Sequence, residues 1–339
     1  MQSQPNFKQE LINSLQRDEE IAVLQPPAIG QTDRQNELLM FIKPEILAVT
    51  GQDNLRNSLD LIWDKLAEFK ANVAGIVLVA GQALERKESM DRHYGAINIL
   101  SKTASASLNA DDRQSVYDAV ADSAAGYPLY GGHEFLAAHP TFTPASLDTL
   151  WFTKQSEKIR SGFYVQAYAA EDENFILVNG FHPAQLAHFT EPSHCIALML
   201  LHSDTPWATL RDEMIGDTFP ERAVAGSIRG QLHARPQRYG FDEVTIANNG
   251  VHLSAGPFEA MFEIANFFGS LLDLNIAAAR PRIVDAMLAA GISEQDAFAA
   301  MENPDVDDGA AGTTDLFDAT EHTDTASAVA LYKSSLSPQ

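Results

Sequence analysis

Three short apolar runs constrain how this chain can fold: LLMFI at 38–42, GIVLVAG at 75–81 and CIALMLL at 195–201. Each has strand length and falls far short of the roughly 18 residues of a membrane span. Each is bounded by a polar residue or by glycine, the first by Lys43 and Pro44, as buried strands are. Between the first two runs, Leu55, Leu59, Ile62, Trp63, Leu66 and Phe69 recur at spacings of three and four. That period predicts a helix with one apolar face and a strand, helix, strand order. A fourth core strand is expected at EVTI, residues 243–246. Strands mixed with helices around an antiparallel sheet indicate an α+β domain.

The flanking regions read differently. Residues 1–35 are polar, contain Pro26 and Pro27, and are expected to form an extension with one short helix at most. Residues 82–100 read as a polar helical stretch carrying His93 and Tyr94, and helical patterns resume through residue 301. Residues 302–324 hold eight carboxylates and no lysine or arginine, set among glycine, alanine and threonine, which predicts a mobile tail.

A formal charge of −23 opposes general binding to nucleic acid or anionic membranes, because both are polyanions. Nucleotides remain possible ligands, since charges are screened over about 8 Å and a few local cations suffice for a phosphate. Cys195 is the one cysteine, so no intramolecular disulfide forms. With a polar start, MQSQPNFKQELINSLQRDEE, that lacks the regions of a signal peptide, this predicts a soluble cytoplasmic protein.

Chemistry concentrates in NNGVHLSAGPFEAMFEIANFF, where His252 ends an apolar run and Glu263 follows on a helix opened by Pro257. A stripe of Phe258, Met261, Phe262 and Ala265 would face the core, leaving Glu259 and Glu263 together on another face. An imidazole keeps a lone pair at neutral pH, and a carboxylate on one ring nitrogen assigns attack to the other. His252 is thus the candidate phosphate-accepting nucleophile, oriented by Glu263. His182, His188 and His194, six residues apart, match no usual zinc spacing, and no metal-binding residues are assigned.

Three motifs together resemble the nucleoside diphosphate kinase family: FIKPE around Lys43, GDTFPERAVAGSIRG around Thr218 and Arg229, and NNGVHLS around His252. The resemblance implies a ferredoxin-like βαββαβ core at 36–96 and 179–270, interrupted by an inserted lid subdomain at 97–178. A helical extension at 271–301 and an acidic tail at 302–339 follow. It also implies that His252 takes the terminal phosphoryl of ATP or another nucleoside triphosphate and passes it to a nucleoside diphosphate or related acceptor. Ser254 and Glu263 would orient the nucleophile. Lys43, Tyr94, Thr218, Arg229 and Asn249 would contact phosphates or ribose, and Phe181 would stack on the base. Mg2+ would arrive on the nucleotide phosphates, and a homo-oligomer is compatible. Of two further family arginines, one is absent and the other is one residue out of register. Asn179 and Gly180 stand at one position and Asp212, beside Arg211, at the other. That loss also leaves open a non-catalytic nucleotide-binding regulatory or scaffold protein.

Overall fold

The computed structural model describes residues 7–17, 19–49, 51–120, 124, 126–169, 174–307 and 312–336. Among the described residues, nine strands precede the C-terminal region: β1 (Ile21–Gln25), β2 (Asn36–Ile42), β3 (Asn72–Ala80), β4 (Leu129–Gly131), β5 (Glu157–Arg160), β6 (Phe163–Ala169), β7 (Asn174–Val178), β8 (Cys195–Ser203) and β9 (Val251–Leu253). The chain divides into two compact units, residues 1–87 with 192–339, and residues 88–191. The second unit is wider at both ends than the 97–178 insertion expected from sequence, and it takes in Tyr94 and Phe181.

In the first unit the sheet order is β1-β3-β8-β2-β9, with every neighbouring pair antiparallel. Without β1, the four strands run second, third, first, fourth, which is the antiparallel order of a ferredoxin-like βαββαβ core. Helix α1 (Gln52–Glu68) joins the first and second of these strands. Its Leu55, Leu59, Ile62 and Leu66 enter one core with Leu38, Met40 and Ile42 of β2, Met199 of β8, and Val251 and Leu253 of β9. Alternation along β2 and β9 sends Phe41 and His252 to the opposite sheet face. Burying each such large apolar side chain contributes roughly 1.5–3 kcal/mol.

Three sequence expectations need correction. The first 35 residues carry more than a helix, because β1 pairs with β3 from Ile21↔Val79 to Gln25↔Ile76. The fourth core strand is β9 at 251–253, while EVTI lies in irregular chain that contributes Val244 to the core without joining the sheet. The acidic region is not a mobile tail within 302–307 and 312–336. Strands β10 (Asp305–Asp307) and β11 (Thr313–Asp315) form a hairpin. Beyond it, Leu316, and Ala328, Val329 and Tyr332 of a helix at Thr325–Ser335, pack with Phe258 and Met287. Its carboxylates serve as caps and anchors: Asp315 accepts from Asp318 N at 2.9 Å, and Asp324 from Trp207 N at 2.8 Å. Residues 308–311 and 337–339 of that region lie outside the described residues.

The second unit contains the sheet β4-β7-β6-β5, with β4 parallel to β7 and the other pairs antiparallel. One core surrounds Phe163, Val165, Ile176 and Leu100, and another surrounds Phe135, Trp151 and Leu177. Among the described residues, no helix is long and apolar enough to cross a membrane.

Candidate active site

Among the described residues β9 is an edge strand paired with β2, which places His252 directly opposite Phe41. The two rings stack with centroids 4.5 Å apart and planes 20° apart. The imidazole keeps 19% of its side-chain surface exposed, whereas Phe41 is fully buried. Sequence reasoning passed over Phe41, although its place two residues before Lys43 on an alternating strand put it on a shared face.

Helix α2 (Pro257–Ile264) begins at the end of this strand and carries Glu263 back over it. His252 Nε2 lies 2.6 Å from Glu263 Oε1. Ser254 Oγ donates to Glu263 Oε2 at 2.5 Å and accepts from Leu39 N at 3.2 Å, so the buried carboxylate is held at both oxygens. Glu259, one turn earlier, accepts from Ala255 N. Burial and the Glu263 carboxylate push its pKa up, which favours the protonated acid and avoids a second charge beside Glu263.

Lys43 follows β2 and Asn249 precedes β9, and Lys43 Nζ donates to Asn249 Oδ1 at 2.7 Å. Asn249 Nδ2 donates to Ile246 O at 3.0 Å and Thr218 O at 3.3 Å, tying both to the exposed Thr218 loop. Gly250 makes this corner with φ +84°, and a Cβ there would lie 2.6 Å from Leu232 Cδ1, so glycine is required. Burial lowers the Lys43 pKa to about 8, against the raising effect of Glu45. Within the first unit the structure thus gathers Lys43, Thr218, Arg229, Asn249, His252, Ser254 and Glu263 around β9.

The outer edge of β9 has two unpaired strand carbonyls, those of Val251 and Leu253, flanking His252. Arg229 Nη2 donates to Val251 O at 2.9 Å and Arg211 Nη1 to Leu253 O at 2.6 Å. Arg229 Nη1 also donates to Gly216 O at 2.9 Å. Two guanidiniums therefore bracket the histidine, and each keeps a buried Nε without a hydrogen-bond acceptor. Burial first, and then the Arg211 charge, lowers the Arg229 pKa to about 9. Arg211 owes its position to a π turn at Leu210–Ile215, closed by Gly216 N donating to Arg211 O at 2.9 Å. A π turn holds one residue more than the α turn it replaces.

Tyr94 and Phe181 belong to the second unit. Tyr94 packs edge-on to His182 with centroids 5.4 Å apart, and Phe181 lies 5.7 Å from Trp151. Asn179, where the resemblance places an arginine, is buried at φ +48°. It accepts from Tyr164 N at 3.0 Å and donates to Gly162 O at 2.8 Å, so it is a structural corner.

No protein-family model matches the chain, and no curated protein matches it. Among solved structures, it is similar to a nucleoside diphosphate kinase from Encephalitozoon cuniculi at 14% identity, covering 69% of this chain and 89% of that one, with a TM-score of 0.33. It is also similar to an NDP kinase from Pyrobaculum aerophilum at 17% identity, covering 69% and 95%, with a TM-score of 0.34. Likenesses this distant leave any functional reading to the residues themselves.

Proposed function

We propose that this chain is a phosphotransferase that carries a phosphoryl group on His252. The observation that carries the reading is the chain from His252 Nε2 to Glu263 Oε1 at 2.6 Å, and from Glu263 Oε2 to Ser254 Oγ at 2.5 Å. Commitment of Nε2 to a fully buried carboxylate assigns attack to Nδ1 and stabilises the positive charge that develops on the ring. Nδ1 bonds to the terminal phosphorus of a nucleoside triphosphate as the bond to the bridging oxygen breaks, and the nucleoside diphosphate leaves. A terminal oxygen of an acceptor diphosphate then takes the phosphoryl group and restores the imidazole.

Phosphoryl transfer depends mainly on alignment and charge neutralisation. Lys43, Arg229 and Arg211 supply the charge, and the buried Nε donors of the two arginines suit an oxyanion. Magnesium belongs to the nucleotide substrate, where it favours water and phosphate oxygens over dedicated side chains.

The test is to incubate the protein with ATP and magnesium and map acid-labile phosphate by mass spectrometry, with His252→Ala as control. Phosphate on His252 that an added nucleoside diphosphate discharges is the expected result. Nucleotide binding without phosphorylation by ATP, GTP or CTP would replace this reading with a regulatory one.

A further inference from the structure

A pocket of about 360 Å³ opens on the first unit, with Arg211, Asp217, Thr218 and Arg222 on one side and Glu321 and His322 of the C-terminal region on the other. We propose that this C-terminal segment forms a wall of the substrate pocket and that Glu321 and His322 set how much phosphate charge the pocket accepts. The proposal rests on the phosphotransferase reading only for the identity of the ligand.

The segment is held in place at several points. His322 N donates to Ala255 O at 2.9 Å, three residues beyond His252. Asp324 Oδ1 accepts from Trp207 N at 2.8 Å and Asn36 Nδ2 at 3.2 Å. Thr320 O closes over Gly256, where a Cβ would lie 2.6 Å away. His322 itself has φ +59°, a left-handed conformation that a non-glycine residue keeps only when its surroundings impose it.

The charges are arranged in sequence. Glu321 Oε1 lies 3.8 Å from Arg211 Nη2 and 3.6 Å from His322 Nε2, while His322 Nδ1 lies 3.4 Å from Asp212 Oδ1. Glu321 therefore occupies the guanidinium that a phosphate would use, and the His322 ring stands between two carboxylates with a nitrogen towards each. Removing the Glu321 charge frees Arg211 for the ligand. Removing the His322 ring leaves Asp212 and Glu321 facing it.

These roles predict opposite effects on binding. With the full chain, ADP and magnesium, calorimetry should show Glu321→Gln binding about three- to fivefold tighter and His322→Ala weaker by a similar factor, the range of partly exposed charge pairs. The melting temperature of each variant should stay near that of the parent. Dissociation constants that do not move, or that move in the same direction along with a falling melting temperature, would overturn the proposal and leave the segment a structural role. Should His322→Ala fail to fold, Glu321→Gln alone decides. Phosphohistidine formation with unmoved constants overturns this proposal and keeps the transfer reading, whereas opposite shifts without phosphohistidine do the reverse. A parent chain that binds no ADP overturns both.

Discussion

Phe41 and His252 face each other across the β2–β9 ladder with their rings stacked at 4.5 Å. Glu263 fixes which nitrogen of the imidazole is engaged, and Phe41 fixes the plane of the ring, so the two together leave the imidazole little freedom. Phe41→Leu keeps apolar volume and loses the stack. It should retain the fold while slowing His252 phosphorylation, and a misplacement approaching 1 Å would cost on the order of 100-fold. Phe41→Ala should also cost about 3–5 kcal/mol of stability, because the side chain is fully buried. Quench-flow phosphorylation and denaturant unfolding separate these effects, and an unchanged rate in Phe41→Leu would deny the ring a positioning role.

Glu263→Ala removes the acceptor for Nε2 and the partner of Ser254 together. General acid–base and orienting groups typically contribute about 10²–10⁴-fold, so phosphohistidine formation should fall by at least roughly 100-fold. Ser254→Ala leaves Glu263 in place and should lose less. Single-turnover assays with ATP compare the two, and a Ser254→Ala defect equal to that of Glu263→Ala would assign the orientation to the serine.

Lys43 gives a pH dependence with a defined sign. Its pKa falls from the ordinary 10.5 to about 8 because the charged form is desolvated. Below 8 the ammonium is present and can neutralise a phosphate. As pH rises through 8 it is lost, so nucleotide affinity should fall by up to about tenfold per pH unit. Stability moves oppositely: between 8 and 10.5 the unfolded chain holds more protons, so Lys43 contributes a rise in stability with pH. Calorimetric titrations from pH 6.5 to 8.5, kept below the Arg229 pKa of about 9, should show the affinity loss in the parent and a flatter, weaker profile in Lys43→Met. A parent profile as flat as the variant's would remove Lys43 from the phosphate site.

The strands LLMFI, GIVLVAG and CIALMLL were legible because burial on both faces leaves a continuous apolar run, and α1 because its period is 3.6. The three-residue β9 was not legible. Its alternation of Val251, His252 and Leu253 is too short to register, and EVTI offered a better strand pattern that the sheet does not use. The order of the acidic region escaped for a different reason. Its composition suggested solvation, yet Asp315 and Asp324 spend their charge on backbone N–H groups while Leu316 and Tyr332 enter a core. Within the site, the His252 segment stood out by residue type, but Glu259 and Phe41 acquire meaning only once helix and strand are superposed.

Glu259 should govern stability at alkaline pH. Its pKa is raised from 4.5 to about 8 by burial and by Glu263, so the folded chain holds the proton more tightly than the unfolded chain. That contribution is present in full below about 4.5 and is lost as pH rises through 8. Glu259→Gln mimics the protonated form and cannot lose it. The variant should therefore gain on the parent as pH rises from 6 to 9, by about 2–4 °C of melting temperature for each kcal/mol recovered. Parallel melting curves across that range would mean that Glu259 is ionised throughout.

The π turn at Leu210–Ile215 carries Arg211, which donates to the Leu253 carbonyl, and its part in the site can be tested. Gly216 N reaches back five residues to Arg211 O, so one residue within the turn is surplus to an α-helix. Deleting the exposed Glu213 should convert the segment to α-helical bonding, keep Met214 and Ile215 in the core, and leave Arg211 on the Leu253 carbonyl. Stability should stay within about 1 kcal/mol of the parent, and phosphohistidine formation should persist. Arg211→Met makes the opposite change. It keeps the turn, removes the cation and leaves the edge carbonyl unmet; loss of a charged hydrogen bond to a phosphate, about 1.5–3 kcal/mol, should weaken nucleotide affinity roughly 10- to 100-fold. If deleting Glu213 abolishes phosphorylation as fully as removing the arginine does, the π turn is itself a working part of the site rather than an absorbed insertion.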